Sequence, residues 1–310
     1  MKKKALIFGI TGQDGSILSS ILLAKNYEVH GISRKKNYKN LDKLRIKKKI
    51  NKYLIKNNNE KKIINILKKN FEEIYFLGGQ SSVNESFNLI EETFDSQIRP
   101  VKIILNYIYN RKKKKTKFLY AASSEIFGQK KNKKKLTEKD TKEPISPYAL
   151  SKLISYEIIR EYRNTHKLPV CSAILFNHES NLRDKNYVLK KIVNAIKDIK
   201  LNKKKKIKLG NINIKRDWGW AEDFMTACNL ILSKNKIDDY IIATGRTTSL
   251  KKILQKTLKN QKYSWQNYIN IDKNLFRKFD IKENYANISK IKKNLNWRPK
   301  HFIKDLIYKI

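Results

Sequence analysis

The chain has 310 residues, 40% of them hydrophobic, enough to bury a sizeable core as one large or two smaller domains. Its 70 lysines and arginines against 28 acidic residues give a formal net charge of +42. The two cysteines, Cys171 and Cys228, are too few and too far apart for a disulfide framework or metal site, so a reducing compartment, the cytoplasm, is expected; no stretch is long and apolar enough to cross a membrane, and the run at 5–8 is too short for a secretory leader.

A charge this large raises nucleic-acid binding as a first hypothesis. The basic runs at 112–115, 133–135 and 203–206 fall between predicted elements and carry no interleaved aromatics on which bases could stack. Lysine, asparagine and isoleucine are inflated together, as under an AT-rich coding bias. The lysines are therefore read as solvated faces, nucleic acid is not expected as a partner, and the surface would still attract small anionic substrates.

In chain order, the apolar run at 5–8 reads as a first strand and ends in Gly9-x-x-Gly12-x-x-Gly15. Residues 17–23 show helical patterning, and 27–32 read as a second strand. Strand, glycine turn, helix, strand is the order of a dinucleotide-binding unit, in which backbone amides at a helix amino end approach a pyrophosphate that larger side chains would hold off. After the second strand an acid would bind an adenosine ribose hydroxyl, whereas an arginine would pair with a 2′-phosphate. Ser33-Arg34-Lys35 stands there and favours NADP over NAD.

Further strands are expected over 73–77, 117–121 and 170–175, separated by helices such as 97–109 and 148–162. Strands at 206–209 and 240–243 follow, with helices around 221–232 and 249–258. The expected fold is α/β, a doubly wound parallel sheet (Rossmann) with a smaller C-terminal substrate-binding lobe. Residues 1–176 and about 212–245 would form the NADP-binding domain, 177–211 and 246–310 the lobe, with the substrate in the cleft between them.

The strand at 117–121 delivers Ser123 and Glu125 to the carboxyl end of the sheet, where ligands bind. Downstream lies Tyr148-x-x-x-Lys152. That spacing occurs three times, at Tyr109/Lys113, Tyr148/Lys152 and Tyr187/Lys191, no more often than chance predicts in so lysine-rich a chain. Context selects among them. The Tyr109 copy runs into consecutive lysines, and the Tyr187 copy has no Ser-x-Glu upstream. Tyr148 follows Pro144-x-x-Pro147, where proline opens a helix. A tyrosine and lysine one turn apart share a face, about 6 Å apart along the axis, and suit proton removal coupled to hydride transfer. A glutamate beside the hydroxyl residue adds a carboxylate base, suggesting that something is also eliminated.

The chain resembles the extended short-chain dehydrogenase/reductases and, more narrowly, the GDP-mannose 4,6-dehydratase family. The resemblance runs through Gly9-Ile10-Thr11-Gly12-Gln13-Asp14-Gly15-Ser16, Gly78-Gly79-Gln80-Ser81, Ser123-Ser124-Glu125-Ile126-Phe127-Gly128 and Ser146-Pro147-Tyr148-Ala149. It continues through Ile174-Leu175-Phe176-Asn177-His178-Glu179-Ser180, Leu209-Gly210-Asn211, Arg216-Asp217-Trp218-Gly219 and Ile241-Ile242-Ala243-Thr244-Gly245. The Asn-His-Glu-Ser and Arg-Asp-Trp-Gly runs are specific to that family rather than generic to the fold.

The resemblance implies conversion of GDP-mannose to GDP-4-keto-6-deoxymannose, with NADP reduced and reoxidised in one turnover. Tyr148 as phenolate would take the C4 hydroxyl proton while hydride leaves C4. Bringing a phenol from near 10 to about 7 takes roughly 4 kcal/mol of preferential anion stabilisation, which Lys152 and the cationic nicotinamide would supply. Ser123, where the family usually has threonine, would hydrogen-bond the C4 oxygen. Glu125 would remove the acidified C5 proton and donate it to the departing C6 hydroxyl. The implied cofactor contacts are Gly9, Thr11, Gly12, Gln13, Asp14, Gly15, Arg34, Leu77, Gly78, Gly79, Ser81, Tyr148, Lys152, His178 and Arg183. Asn177, Lys191, Arg216 and Arg277 would hold the diphosphate and sugar; no metal is implied, and the family forms homodimers or homotetramers. Trp218 and Trp297 read as packing residues.

The chain departs from the family in places. The usual acid near the end of the third strand, on the adenine side of the cofactor, is missing from Tyr53-Leu54-Ile55-Lys56-Asn57; Leu182 stands where an arginine is common, and Lys278 follows Arg277 where proline is usual. The alternative reading is a nucleotide-sugar epimerase or reductase of the same fold, which has no need of Glu125.

Overall fold

The computed structural model describes residues 2–111, 115–130, 134–200, 206–259, 265–303 and 305. Most of the lysine runs at 112–115 and 203–206, one lysine of the run at 133–135, and Lys113 of the Tyr109 pair lie outside them.

The first half of the chain alternates strand and helix: β1 (Lys4–Phe8), α1 (Gln13–Ala24), β2 (Glu28–Ser33), α2 (Lys39–Lys43), β3 (Ile50–Leu54), α3 (Glu60–Leu67), β4 (Glu73–Phe76), α4 (Ile90–Tyr109), β5 (Lys117–Ser123), α5 (Pro147–His166) and β6 (Val170–Leu175). With β10 (Tyr240–Ile242) these strands form one sheet in the order β10-β6-β5-β4-β1-β2-β3, every pair parallel. A parallel sheet is covered by helices on both faces, so its strands read as continuous apolar runs; all six positions of β6 are buried. The order reverses between β1 and β4, which opens a crevice at their carboxyl ends.

The expected strands and helices are present with small shifts at their ends. The largest shift is in α4, which starts at Ile90 rather than 97. Its first turns carry Glu91 and Glu92, favourable beside the amino-terminal end of the helix dipole but exposed and without apolar periodicity, and Pro100 inside the helix reads as a start signal.

The remaining elements are β7 (Asn177–Glu179), α6 (Val188–Lys200), β8 (Ile207–Leu209), β9 (Lys215–Trp220), α7 (Ala221–Ser233), β11 (Thr247–Ser249), α8 (Leu250–Lys259), β12 (Ile269–Ile271) and α9 (Ser289–Leu295). Strands β11, β9 and β7 make a small sheet, and β12 pairs with β8. A second apolar cluster, including Leu189, Ile192, Val193, Trp218, Trp220, Leu250 and Leu254, holds these elements together. Trp297 is buried in the main core. Among the described residues no helix is long and apolar enough to cross a membrane, and no group of His, Cys, Asp and Glu is placed to hold a metal.

Candidate active site

The crevice at the β1/β4 boundary is floored by two loops whose backbones touch. Gly9 has φ +82°, and a β-carbon there would lie 2.8 Å from the Gly78 nitrogen; one on Gly15 would lie 2.2 Å from the Gly9 carbonyl oxygen. Only glycine permits this approach, and it leaves the amino end of α1 open toward the cleft. The cleft, about 390 Å³, is lined by Gly9, Thr11, Gly12, Gln13 and Asp14 from the first loop, Ser33, Arg34 and Lys35 after β2, Leu77, Gly78, Gly79 and Ser81 after β4, and Arg183. Such a cradle suits a dinucleotide pyrophosphate.

Eleven of the cofactor residues expected from sequence line this cleft, while Gly15 lies beneath the loop and His178 stands behind Asp14. Arg34 is paired with Glu92 of α4 at 3.0 Å. Position 56, where the family's acid is missing, is exposed. Asn58 lines the cleft nearby and donates to the Asp95 carboxylate at 2.7 Å. Tyr187 packs against two of the lining residues: its hydroxyl lies 3.0 Å from that of Ser81 and its ring is stacked 3.6 Å from the Arg183 guanidinium.

The side chains expected to be catalytic come from β5 and α5. Ser123 ends β5 in an extended conformation and caps the short 3-10 turn Ser124–Phe127; its hydroxyl oxygen accepts the Glu125 N–H at 3.3 Å. Ser146 caps α5, accepting the Ala149 N–H at 3.1 Å, and Pro147 occupies the first turn, so Tyr148 and Lys152 project from the start of a well-anchored helix. The Ser123 hydroxyl hydrogen-bonds the Tyr148 phenol. Nζ of Lys152 donates to the Ala121 carbonyl at 2.7 Å and lies 5.8 Å from the centre of the Tyr148 ring. Burial pushes the Lys152 ammonium down to about 7, partly opposed by Asp14. Burial also pushes the Tyr148 phenol above its ordinary range; the Ser123 hydrogen bond opposes this and the Glu125 charge adds to it. With these neighbours alone the phenol keeps its proton at neutral pH, so its activation calls for further positive charge in the cleft.

Glu125 is 9% exposed and points into this cluster, not into bulk solvent. Its Oε1 lies 3.8 Å from Nη1 of Arg277. Arg216, 2% exposed, gives Nη2 to Asp280 at 2.8 Å and Nη1 to the carbonyls of Ile281 and Lys215 at 2.6 and 3.0 Å. Arg277 and Arg216 are therefore gathered beside Glu125, with Arg277 the more open of the two. Asn177 is half-buried at the start of β7, and Lys191 is exposed on α6.

Three participants escaped the sequence reading. Tyr187 belongs to a tyrosine–lysine spacing no more frequent than chance and has no Ser-x-Glu upstream. Asp280 lies in no motif. Asp217 was seen only as part of a run, yet it is fully buried and accepts the Thr244 hydroxyl at 2.6 Å and the N–H groups of Thr244, Gly245 and Arg246 at 2.8, 2.7 and 3.1 Å. It thereby ties the Arg-Asp-Trp-Gly strand to the Ala-Thr-Gly turn after β10.

A sequence model of the family described as GDP-mannose 4,6 dehydratase matches residues 6–310. GDP-mannose 4,6 dehydratase 1 of Arabidopsis thaliana is 34% identical over 322 residues, covering 99% of this chain and 88% of the plant protein. GDP-mannose 4,6 dehydratase of Homo sapiens is 33% identical over 335 residues, covering 98% and 89%. Among solved structures, the dTDP-glucose 4,6-dehydratase of Bacillus anthracis in complex with NAD superposes with a TM-score of 0.85 at 17% identity, covering 98% of this chain and 94% of that one, a likeness of fold.

Proposed function

This chain belongs to the GDP-mannose 4,6-dehydratase family, and on that footing we propose that it converts GDP-mannose to GDP-4-keto-6-deoxymannose with loss of water. The observation that carries the reading is the shielded carboxylate of Glu125 in the same cluster as Ser123 and Tyr148. Of the side chains, oxidation at C4 by a nicotinamide would need only the phenol, the serine and the lysine. Elimination across C5 and C6 also needs a base, and the shielded carboxylate of Glu125 supports giving it that role.

A nicotinamide cofactor fits the glycine-floored cleft; when bound it supplies the reversible electron-pair acceptor and the positive charge that favours the phenolate. Tyr148 takes the C4 hydroxyl proton, and Ser123 holds the C4 oxygen through its hydroxyl. Lys152, anchored on the Ala121 carbonyl, adds its charge below the tyrosine. The C4 ketone acidifies C5; Glu125 removes that proton and gives it to the C6 hydroxyl, which departs as water and leaves a C5–C6 double bond, and the hydride taken from C4 would be handed back at C6 as C5 regains a proton. Arg277 and Asn177 are assigned to the diphosphate and sugar, with Arg216 holding Asp280 beside Arg277. NADP is the proposed form of the cofactor, because Arg34 and Lys35 stand after β2 where an acid would serve NAD. Assembly as a homodimer or homotetramer belongs to the same reading, supported by the exposed apolar side chains Ile90 and Tyr109 on α4 and Leu150 on α5.

Glu125→Gln tests the assignment. The variant should oxidise bound GDP-mannose and accumulate reduced cofactor, seen by its absorbance, while forming no 4-keto-6-deoxy product. An epimerase would turn over unimpaired with this substitution, and that result would remove the dehydratase reading.

A further inference from the structure

Arg277 stands between two carboxylates. Its Nη1 lies 3.8 Å from Oε1 of Glu125 and 3.7 Å from Oδ1 of Asp280. The same Asp280 oxygen takes Nη2 of Arg216 at 2.8 Å. Arg216 is buried and further pinned by the Ile281 and Lys215 carbonyls, so it fixes Asp280 in place. Arg277, with a third of its side chain exposed, is the member of the chain that can move. Both of its contacts are longer than the roughly 2.7–2.9 Å of a committed charge-assisted hydrogen bond, which marks a guanidinium shared between two anions.

The charged and titratable groups facing Glu125 are Tyr148 from α5, Arg216 from β9, and Arg277 with Asp280 from the segment 275–281. A guanidinium leaning on a carboxylate engages the oxygen that would have to reach the C5 proton. A base that must remove a C5 proton is therefore restrained while Arg277 leans on it. A diphosphate offers that guanidinium a better partner, with two charged groups in a geometry that accepts paired N–H donors.

We propose that Arg277 couples diphosphate binding to release of the base: it withdraws from Glu125 as it takes the substrate diphosphate, and Asp280 is the positioning residue that holds it at the crossing point. The inference rests on the dehydratase reading, which supplies both the diphosphate and the role of Glu125. In the absence of substrate the site is thus held back, and the elimination step is armed by the part of the substrate that does not react.

The test is GDP binding to the full chain by isothermal titration calorimetry, in wild type, E125Q, R277M and E125Q/R277M. With its competitor neutralised, Arg277 should hold GDP about three- to fivefold more tightly in E125Q, while R277M should bind it more weakly and the double variant should match R277M. Unchanged affinity in E125Q overturns the proposal. So does equal tightening in the R277M background, which would assign the effect to plain repulsion between Glu125 and the diphosphate. Asp280→Asn, which leaves Glu125 as the nearest carboxylate to Arg277, should weaken GDP binding, and E125Q/D280N should restore it; a double variant as weak as D280N would make Asp280 a structural residue only. Wild type that binds GDP with this pattern but does not dehydrate GDP-mannose would refute the reaction and leave the coupling standing.

Discussion

Nε2 of His178 lies 3.0 Å from both carboxylate oxygens of Asp14, joining β7 to the first turn of α1 across 164 residues of chain. The other ring nitrogen donates to the Phe176 carbonyl at 2.7 Å, so both nitrogens act as donors and the ring is held as an imidazolium. Burial works against both charges, yet their mutual attraction outweighs it: Asp14 is brought down from 3.8 to about 2, and His178 is raised above 6.5. The Asp14 contribution to stability is therefore present above pH 3.8 and lost as the pH falls toward 2. The His178 contribution is complete below 6.5 and lost as the pH rises through the folded value. Asp14→Asn should cost about 2 kcal/mol in urea unfolding at pH 6 and flatten the acid limb of the stability curve. An unaltered acid limb would mean that the pair is not formed in solution.

Lys152 gives a pH dependence of the opposite kind. Its ammonium titrates at about 7 in the folded chain against 10.5 when unfolded, because burial disfavours the charge. The unfolded state binds more protons between those values, so this group adds stability as the pH rises through that window. Relative to Lys152→Met, the wild-type protein without cofactor should gain about 2 kcal/mol between pH 7 and 9, read from paired denaturation curves. Comparing the two proteins cancels the many surface lysines; parallel curves would place the Lys152 ammonium in water.

On the proposed reading, cofactor choice turns on Arg34. Its pairing with Glu92 at 3.0 Å joins two exposed side chains and is weak, so a 2′-phosphate can displace the glutamate. Arg34→Ala should lower NADP affinity about tenfold with little effect on NAD, while Glu92→Gln should move the ratio toward NADP. Equal losses for both cofactors in R34A would show that the arginine does not read the 2′-phosphate.

Much of this was legible in the chain because the strong signals are local. The glycine spacing demands close backbone approach, the largely apolar run at Val170–Leu175 demands a strand covered on both faces, and Pro147 before Tyr148 demands a helix start. What escaped was set by tertiary contact. Strands β7 and β11 have three residues each, too short for periodicity to register. Tyr187 matters because its hydroxyl meets Ser81 across 106 residues, and Asp280 because a buried arginine 64 residues away needs a carboxylate. Nothing in the local sequence marks either. The burial that lowers Lys152 and raises Tyr148 is likewise a property of the assembled core.

The most direct measurement is the mass of the sugar nucleotide after incubating the purified chain with GDP-mannose and NADP. The account predicts a product lighter by one water, with no net accumulation of reduced cofactor and with Tyr148→Phe slower by about two to four orders of magnitude. A sugar nucleotide of unchanged mass, or one that is oxidised with stoichiometric cofactor reduction, would contradict it.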